Sequence, residues 1–147
     1  MMQRLRELLE QDEGCVHAVY LDSLSKHTCG IGHLILEGDE EYGWPVGAPV
    51  SEERVSELFE KDVKTAISDA MWLHPDLAEL HEDAQITIIS LAFQLGLPRY
   101  QLFEKHHAAI EARDWKEAAA QLRNSRLYRQ ATARTERHAR RLENLTS

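Results

Sequence analysis

Apolar positions repeat with two different periods along this chain, and the change of period marks where helix gives way to strand. Leu5, Leu8 and Leu9 fall at helical spacing among charged neighbours, which predicts an amphipathic helix over residues ~2–12, ending near Gly14. From Val16 the period shortens to two. Val16, Ala18 and Tyr20 alternate with His17, Val19 and Leu21, and Ser23-Leu-Ser-Lys26 supplies turn chemistry before His27-Thr28-Cys29-Gly30 returns. A β-hairpin is expected there, with a third short strand through His33–Leu36. Glu37 to Pro49, rich in Gly, Pro and acid, is expected to be a surface loop. Its Tyr42 and Trp44 either stack on a sugar or seal the loop against the body of the protein.

Helical periodicity then resumes. Ser51 is a good N-cap, Glu52 and Glu53 suit the positive first turn, and Val55, Leu58, Phe59, Val63 and Ile67 mark one face of a long helix. Trp72, His74 and Pro75 interrupt it. Asp83 is the expected cap of the next helix, which is apolar almost all round through Ile86, Ile89, Phe93 and their neighbours. That pattern belongs to a buried core helix, here ending at Gly96. A helix over ~99–112 follows, then one opened by an Asp114-Trp-Lys-Glu117 capping box, a short turn at Ser125–Gln130 and an Arg-rich last helix. The fold class is mainly α (α+β), with a small three-stranded antiparallel sheet.

Length bounds the chain to one domain, or two small lobes sharing a helix. No apolar run approaches the ~20 residues of a membrane helix, so no stable membrane insertion is expected. The start, Met1-Met-Gln-Arg-Leu-Arg-Glu-Leu-Leu-Glu10, alternates charge and leucine and does not read as a secretory signal; a cytoplasmic location is expected. Cys15 and Cys29 make no disulfide framework and are expected as free thiols in a reducing compartment. The net charge of −8 counts against nucleic acid as a partner. It conceals an asymmetry, because from Arg123 onward seven arginines stand against only Glu136 and Glu143. That basic end is either a surface for an anionic polymer or a solvated helix face. His106 and His107 are adjacent on a helix, and the other histidines lack ligand spacing, so neither a metal nor any other cofactor is expected.

The chemistry concentrates in Glu13-Gly14…Tyr20-x-Asp22…Thr28-x-Gly30-x-Gly32-His33. Glycoside hydrolysis needs two carboxylates in unlike states: one protonated, to give a proton to the leaving oxygen, and one ionised, to assist water or steady the oxocarbenium-like transition state. A hydroxyl beside that water fixes its approach. Taken singly, each residue has a plainer reading: Glu13 ends a helix, Asp22 hydrogen-bonds its own turn, and Thr28 is a β-former. Gly30-Ile-Gly32 has the wrong spacing for a phosphate loop, and its glycines are expected to let the strand bend or approach closely.

That full string resembles the phage-type, T4-like lysozymes (endolysins, muramidases). The resemblance implies a small lobe at about 13–50, a linking helix at about 51–70, and a helical lobe at about 71–147 that includes the N-terminal helix 2–12. It implies a likeness of roles too: Glu13 as general acid, Asp22 as ionised partner, and Thr28 as the residue that orients water for an inverting cut of the β-1,4 bond between N-acetylmuramic acid and N-acetylglucosamine. Leu58-Phe59-x-x-Asp62-Val63 is similar to a family segment whose aspartate pairs with the histidine after Gly-x-Gly, here His33. Ala92-Phe93-Gln94-Leu95-Gly96 and Ser125-Arg-Leu-Tyr128-Arg-Gln130 resemble segments that face the substrate, and Arg134 matches an arginine that approaches the catalytic glutamate. Gly30, His33, Gln94, Tyr128, Gln130 and Arg134 are therefore the substrate-side candidates, with His33 expected to be structural. The partner implied is peptidoglycan, met by a monomer that a separate pore protein releases to the wall. A departure stands at Leu127 and Ala131-Thr132, where the family commonly has Trp and Thr-Pro. The other reading carried is a module of the same fold that binds glycan or protein without cutting.

Overall fold

The computed structural model describes residues 1–145. The chain divides into two compact units within one long helix: Met2–Thr65, and Ala66 onward together with Met1.

In the first unit, helix α1 (Met2–Glu13) buries Leu5 and Leu9 completely, one helical turn apart. Each such burial stabilises by roughly 1.5–3 kcal/mol. Gly14 ends α1 because its φ of +74° is a conformation that glycine takes without strain, and its N–H bonds the carbonyl of Glu10 at 2.8 Å. Strands β1 (Val16–Leu21), β2 (His27–Gly30) and β3 (His33–Leu34) form an antiparallel sheet in the order β1-β2-β3. Register pairs Tyr20 with Thr28 and Thr28 with Leu34, so the three stand in a row across the sheet. Strand β1 is bulged between Val16 and Tyr20. Opposite the bulge its backbone bonds residues 47–50 instead, through Val19 N–H to the carbonyl of Ala48 and Val50 N–H to that of His17. β3 is two residues long rather than the four expected, because the main chain of Leu36 is drawn into the following loop by Asp39.

Helix α2 (Glu52–Leu73) is capped as expected, with Ser51 Oγ accepting the N–H of Arg54 at 3.1 Å. Its early turns pack Val55, Leu58 and Val63 into the core of the first unit, and Arg6 forks onto Glu60 at 2.7 and 2.8 Å.

Among its described residues the second unit holds, after the end of α2, a 3-10 turn (Leu77–Glu79) and the helices α3 (Glu82–Leu95), α4 (Leu97–Tyr100), α5 (Glu104–Glu111), α6 (Trp115–Arg123), α7 (Arg126–Gln130) and α8 (Thr132–Glu143). Helix α3 is the core helix, buried along Ala84 and from Ile86 through Ala92. Its cap differs from the expectation. The capping acceptor is the His81 ring nitrogen rather than Asp83, and it takes the N–H of Asp83 itself at 3.0 Å. The helix expected over ~99–112 is two, broken at Gln101–Phe103, and the expected turn at Ser125–Gln130 is the short helix α7 capped by Ser125. Asp114 caps α6 as foreseen, accepting Glu117 N–H at 3.1 Å. The pairs α6–α8, α5–α6 and α3–α8 pack together and enclose Trp115, Ala118, Leu122, Ile110, Ala139 and Leu142.

Candidate active site

Glu13, Asp22, Thr28, Gly30, Gly32 and His33 all belong to the sheet-bearing unit. Glu13 is the last residue of α1, and Gly32 lies against it. A Cβ at Gly32 would stand 2.5 Å from Oε2 of Glu13 and 2.8 Å from its carboxyl carbon. Only glycine leaves room for that carboxylate, and only glycine takes the φ of +63° there without strain. Gly30 makes the equivalent approach to Val55, at 3.2 Å. Gly-Ile-Gly is thus a close-packing device, one glycine against the core and one against the carboxylate.

Asp22 and Thr28 are tied to one residue, Lys26. Asp22 Oδ1 accepts the N–H groups of Leu24 at 2.8 Å and Lys26 at 2.9 Å, and the Thr28 hydroxyl donates to the Lys26 carbonyl at 2.9 Å. The turn reading of Asp22 is therefore satisfied by one oxygen alone, which leaves Oδ2 without a hydrogen-bond partner among the described residues. Thr28 is buried, and with its proton committed to a carbonyl its oxygen can only accept from a further ligand. Tyr20, paired with Thr28 across the strands, registers both carboxylates. Burial pushes its phenol up, and Glu13 and Asp22 push it further. Sequence reasoning placed Tyr20 in the motif but gave it no role.

His33 is buried between two carboxylates: Nδ1 faces Asp62 Oδ2 at 2.6 Å, and Nε2 faces Asp39 Oδ2 at 2.8 Å. Burial acts to lower its pKa, but the hydrogen bonds and charges of Asp62 and Asp39 prevail and raise it. Asp39 is pulled low, as the Leu36 N–H and the His33 ring outweigh its burial. Asp62 was legible in the sequence; Asp39 was not. The same loop is fixed a second time by Glu41, which is buried and takes Arg54 in a two-pronged bond at 2.7 and 3.0 Å. The loop is thus held by ion pairs, and Tyr42 is left 59% exposed rather than sealing it. Cys15 and Cys29 are free thiols, and burial, with Glu41 and Asp39 nearby, pushes Cys29 up to about 11, well away from reactivity.

The other candidates lie in the helical unit. Gln94, near the end of α3, carries a buried Oε1 with no hydrogen-bond partner among the described residues. The Tyr128 hydroxyl donates to Glu136 at 3.0 Å, which gives it a structural bond inside the unit. Gln130 is exposed at the edge of a groove of about 520 Å³ that also holds Leu102, Phe103, Ser125 and Arg126. Arg134 is half-buried on α8. The Arg-rich end is neither uniformly free nor uniformly solvated. Arg123 binds both Glu136 and Glu143, and Arg140 binds Glu136. Among the described residues no cluster of three or more His, Cys, Asp or Glu side chains is arranged to hold a metal ion.

A family model described as phage lysozyme matches residues 10–141. The chain belongs to the phage lysozyme family. Membership covers both units, from the end of α1 to the last turns of α8. A probable T4-type lysozyme of Dictyostelium discoideum is 29% identical over 93% of this chain and 92% of its own. The pre-baseplate central spike protein Gp5 of Enterobacteria phage T4 is 28% identical over 90% of this chain but only 26% of its own length. A peptidoglycan hydrolase, gp36 of Pseudomonas phage phiKMV, is 26% identical over 93% of this chain and 15% of its own. The family match takes in Glu13, Asp22, Thr28 and the glycines packed around them.

Proposed function

We propose that the protein is a peptidoglycan hydrolase that cuts the β-1,4 bond between N-acetylmuramic acid and N-acetylglucosamine with inversion at the anomeric carbon. Family membership supports the reaction class, and the relatives' names support the substrate. The observation that carries the mechanism is the shared anchoring of Asp22 and Thr28 on the main chain of Lys26. A water donating one hydrogen to Oδ2 of Asp22 and the other to Thr28 Oγ1 presents its lone pair outward, oriented for attack. Glu13, held against Gly32, gives its proton to the leaving sugar oxygen. Asp22 takes the water's proton as the new C–O bond forms, so one proton enters at the leaving group and one departs from the nucleophile. Gly30, His33 and Asp62 shape the wall of this site, and Gln94, Tyr128, Gln130 and Arg134 are the substrate-side groups of the helical unit.

Product analysis tests the proposal. Purified sacculi from outer-membrane-stripped Gram-negative cells should release fragments with reducing muramic acid ends, and proton NMR during the first turnovers should show the α-anomer before mutarotation. Initial β-anomer would overturn inversion. Anhydromuramic ends would mean a reaction without water, and binding to sacculi without any release would make the protein a non-cutting module.

A further inference from the structure

Helix α3 is apolar almost all round, yet one stripe of it is polar. Thr87, Ser90 and Gln94 recur at a spacing of three and then four, so they share a face. On α8, Arg134, His138 and Arg141 recur in the same way, with Thr135 beside them. The two helices pack together, and Arg141 Nε donates to Thr87 Oγ1 at 3.1 Å, so the stripes face each other inside the helical unit. Ser90 stands one turn on from Thr87 along α3, and His138 one turn back from Arg141 along α8. Ser90, Thr135 and His138 are 1%, 0% and 0% exposed. Their outer polar atoms, the Ser90 and Thr135 hydroxyls and His138 Nε2, have no hydrogen-bond partner among the described residues. Thr87 shows the ordinary arrangement, its hydroxyl donating to the Asp83 carbonyl at 2.8 Å. Leaving buried polar groups unpaired is costly, so three of them in one seam point to something that they bind.

The tautomer of His138 narrows the occupant. Its Nδ1 faces the Arg141 guanidinium, which can only donate, so Nδ1 accepts and the ring proton stands on Nε2. That nitrogen is therefore a donor, and the two hydroxyls can turn to donate beside it. The buried Oε1 of Gln94, an acceptor, lies a turn beyond Ser90 and marks where the donors end. Charge agrees with this. Burial first, then Arg141, Arg134 and Arg137, hold His138 well below the ordinary imidazole range, so the ring stays neutral in a region of positive potential. We propose that the α3–α8 seam binds one small monovalent anion of halide size, held by His138 Nε2–H and the hydroxyls of Ser90 and Thr135. An anion uses donors alone, whereas a buried water must also find acceptors. The arginines of α8 supply the opposite charge that a buried anion requires.

Halide binding by the full chain tests it, with no readout that depends on cleavage. Crystals soaked in sodium bromide should show an anomalous peak within about 3.5 Å of His138 Nε2, the reach of a hydrogen bond to a large anion. The melting temperature should be about 2–4 °C higher in sodium chloride than in sodium gluconate at equal ionic strength, as expected of a site well above its dissociation constant. Equal ionic strength removes screening from the comparison. Ser90→Ala and Thr135→Val each delete a donor without adding bulk, and each should shrink the chloride-dependent rise. Equal melting of the wild type in the two salts would overturn the site, and so would a rise that both variants keep in full. Bromide found only against exposed arginines, as an adventitious ion only, or a water in the seam of bromide-soaked crystals, would overturn it as well.

Discussion

At Gly32 the missing side chain makes room for the carboxylate of Glu13, the proposed acid. Gly32→Ala places a methyl group where the Glu13 carboxylate stands, and it also strains a backbone with φ near +63°. Gly47→Ala imposes comparable backbone strain at φ +93° with nothing within 4 Å of the added methyl. The two variants should therefore lose similar stability, about 1–2 kcal/mol by the cost of a left-handed residue. Only Gly32→Ala should lose activity, by ~10²-fold if the acid is displaced. Chemical denaturation and lytic rate on both variants check this, and equal rates would show that the close approach has no catalytic consequence. His33 makes a claim about stability. Its raised pKa means a contribution present below the unfolded value near 6.5 and lost as pH rises through the folded value. Asp39, lowered, contributes above its unfolded value near 4 and loses that contribution as pH falls. The deficit of His33→Asn should be greatest between about pH 4 and 6.5, reaching about 3 kcal/mol as Asp39 and Asp62 are left facing each other. A deficit independent of pH would exclude the ionic account.

Among the elements, the least legible feature is the junction of α2, α4, α5 and α6. His74, Tyr100, His106 and His107 meet there. His107 Nε2 faces the Tyr100 carbonyl at 2.8 Å and so must donate, which makes its Nδ1 the acceptor for His74 Nε2–H at 2.9 Å. His74 Nδ1 is then buried with a bare lone pair and no hydrogen-bond partner among the described residues. His106 donates from Nδ1 to the Ala118 carbonyl and accepts the Tyr100 hydroxyl. Protonating His106 or His107 would remove an acceptor from the network, and protonating His74 would bury a charge and an unpartnered N–H. Burial first, then the neighbouring rings, depress His74 to about 4 and His106 to about 3; Arg113 also lowers His74, Asp76 opposes, and Glu111 opposes the fall of His107. Depressed histidines contribute above their unfolded pKa near 6.5 and lose that contribution as pH falls. The helical unit should therefore weaken between pH 6.5 and 4, with a slope of about 1.4 kcal/mol per pH unit for each proton taken up on unfolding. His74→Gln should reduce that slope by about one proton, read from denaturation at a series of pH values; an unchanged slope would place the sensitivity elsewhere.

The same junction shows why sequence stopped short. The hairpin, the Ser51 and Asp114 caps and the core helix α3 were readable because each depends on neighbours within a few positions. His74 and His107 lie 33 residues apart, and only tertiary packing brings them together. Asp39 was hidden among Glu37, Glu40 and Glu41, where nothing local singles out one acid. The α4–α5 break at Gln101–Phe103 carries no Gly or Pro to announce it.

For the molecule as a whole, the basic end is partly neutralised in place. Arg123 spans Glu136 and Glu143, and Glu136 also gathers Arg140 and the Tyr128 hydroxyl. Arg123→Ala should therefore lower the melting temperature measurably, whereas Arg126→Ala, at an exposed position, should leave it unchanged; matched shifts would mean that the network contributes nothing. The proposed catalytic residues were legible as a string because the motif is contiguous over Glu13 to His33. Their mutual geometry was not, since it depends on Gly32 meeting Glu13 and on Lys26 joining Asp22 to Thr28. The central claim is that Glu13 is the acid of a glycan-cleaving site, and the most direct measurement is the rate at which wild type and Glu13→Gln release reducing ends from purified sacculi. The account predicts steady release by the wild type and at least a ~10²-fold lower rate for the variant, with circular dichroism and melting temperature unchanged. Wild-type-like release by Glu13→Gln would contradict it.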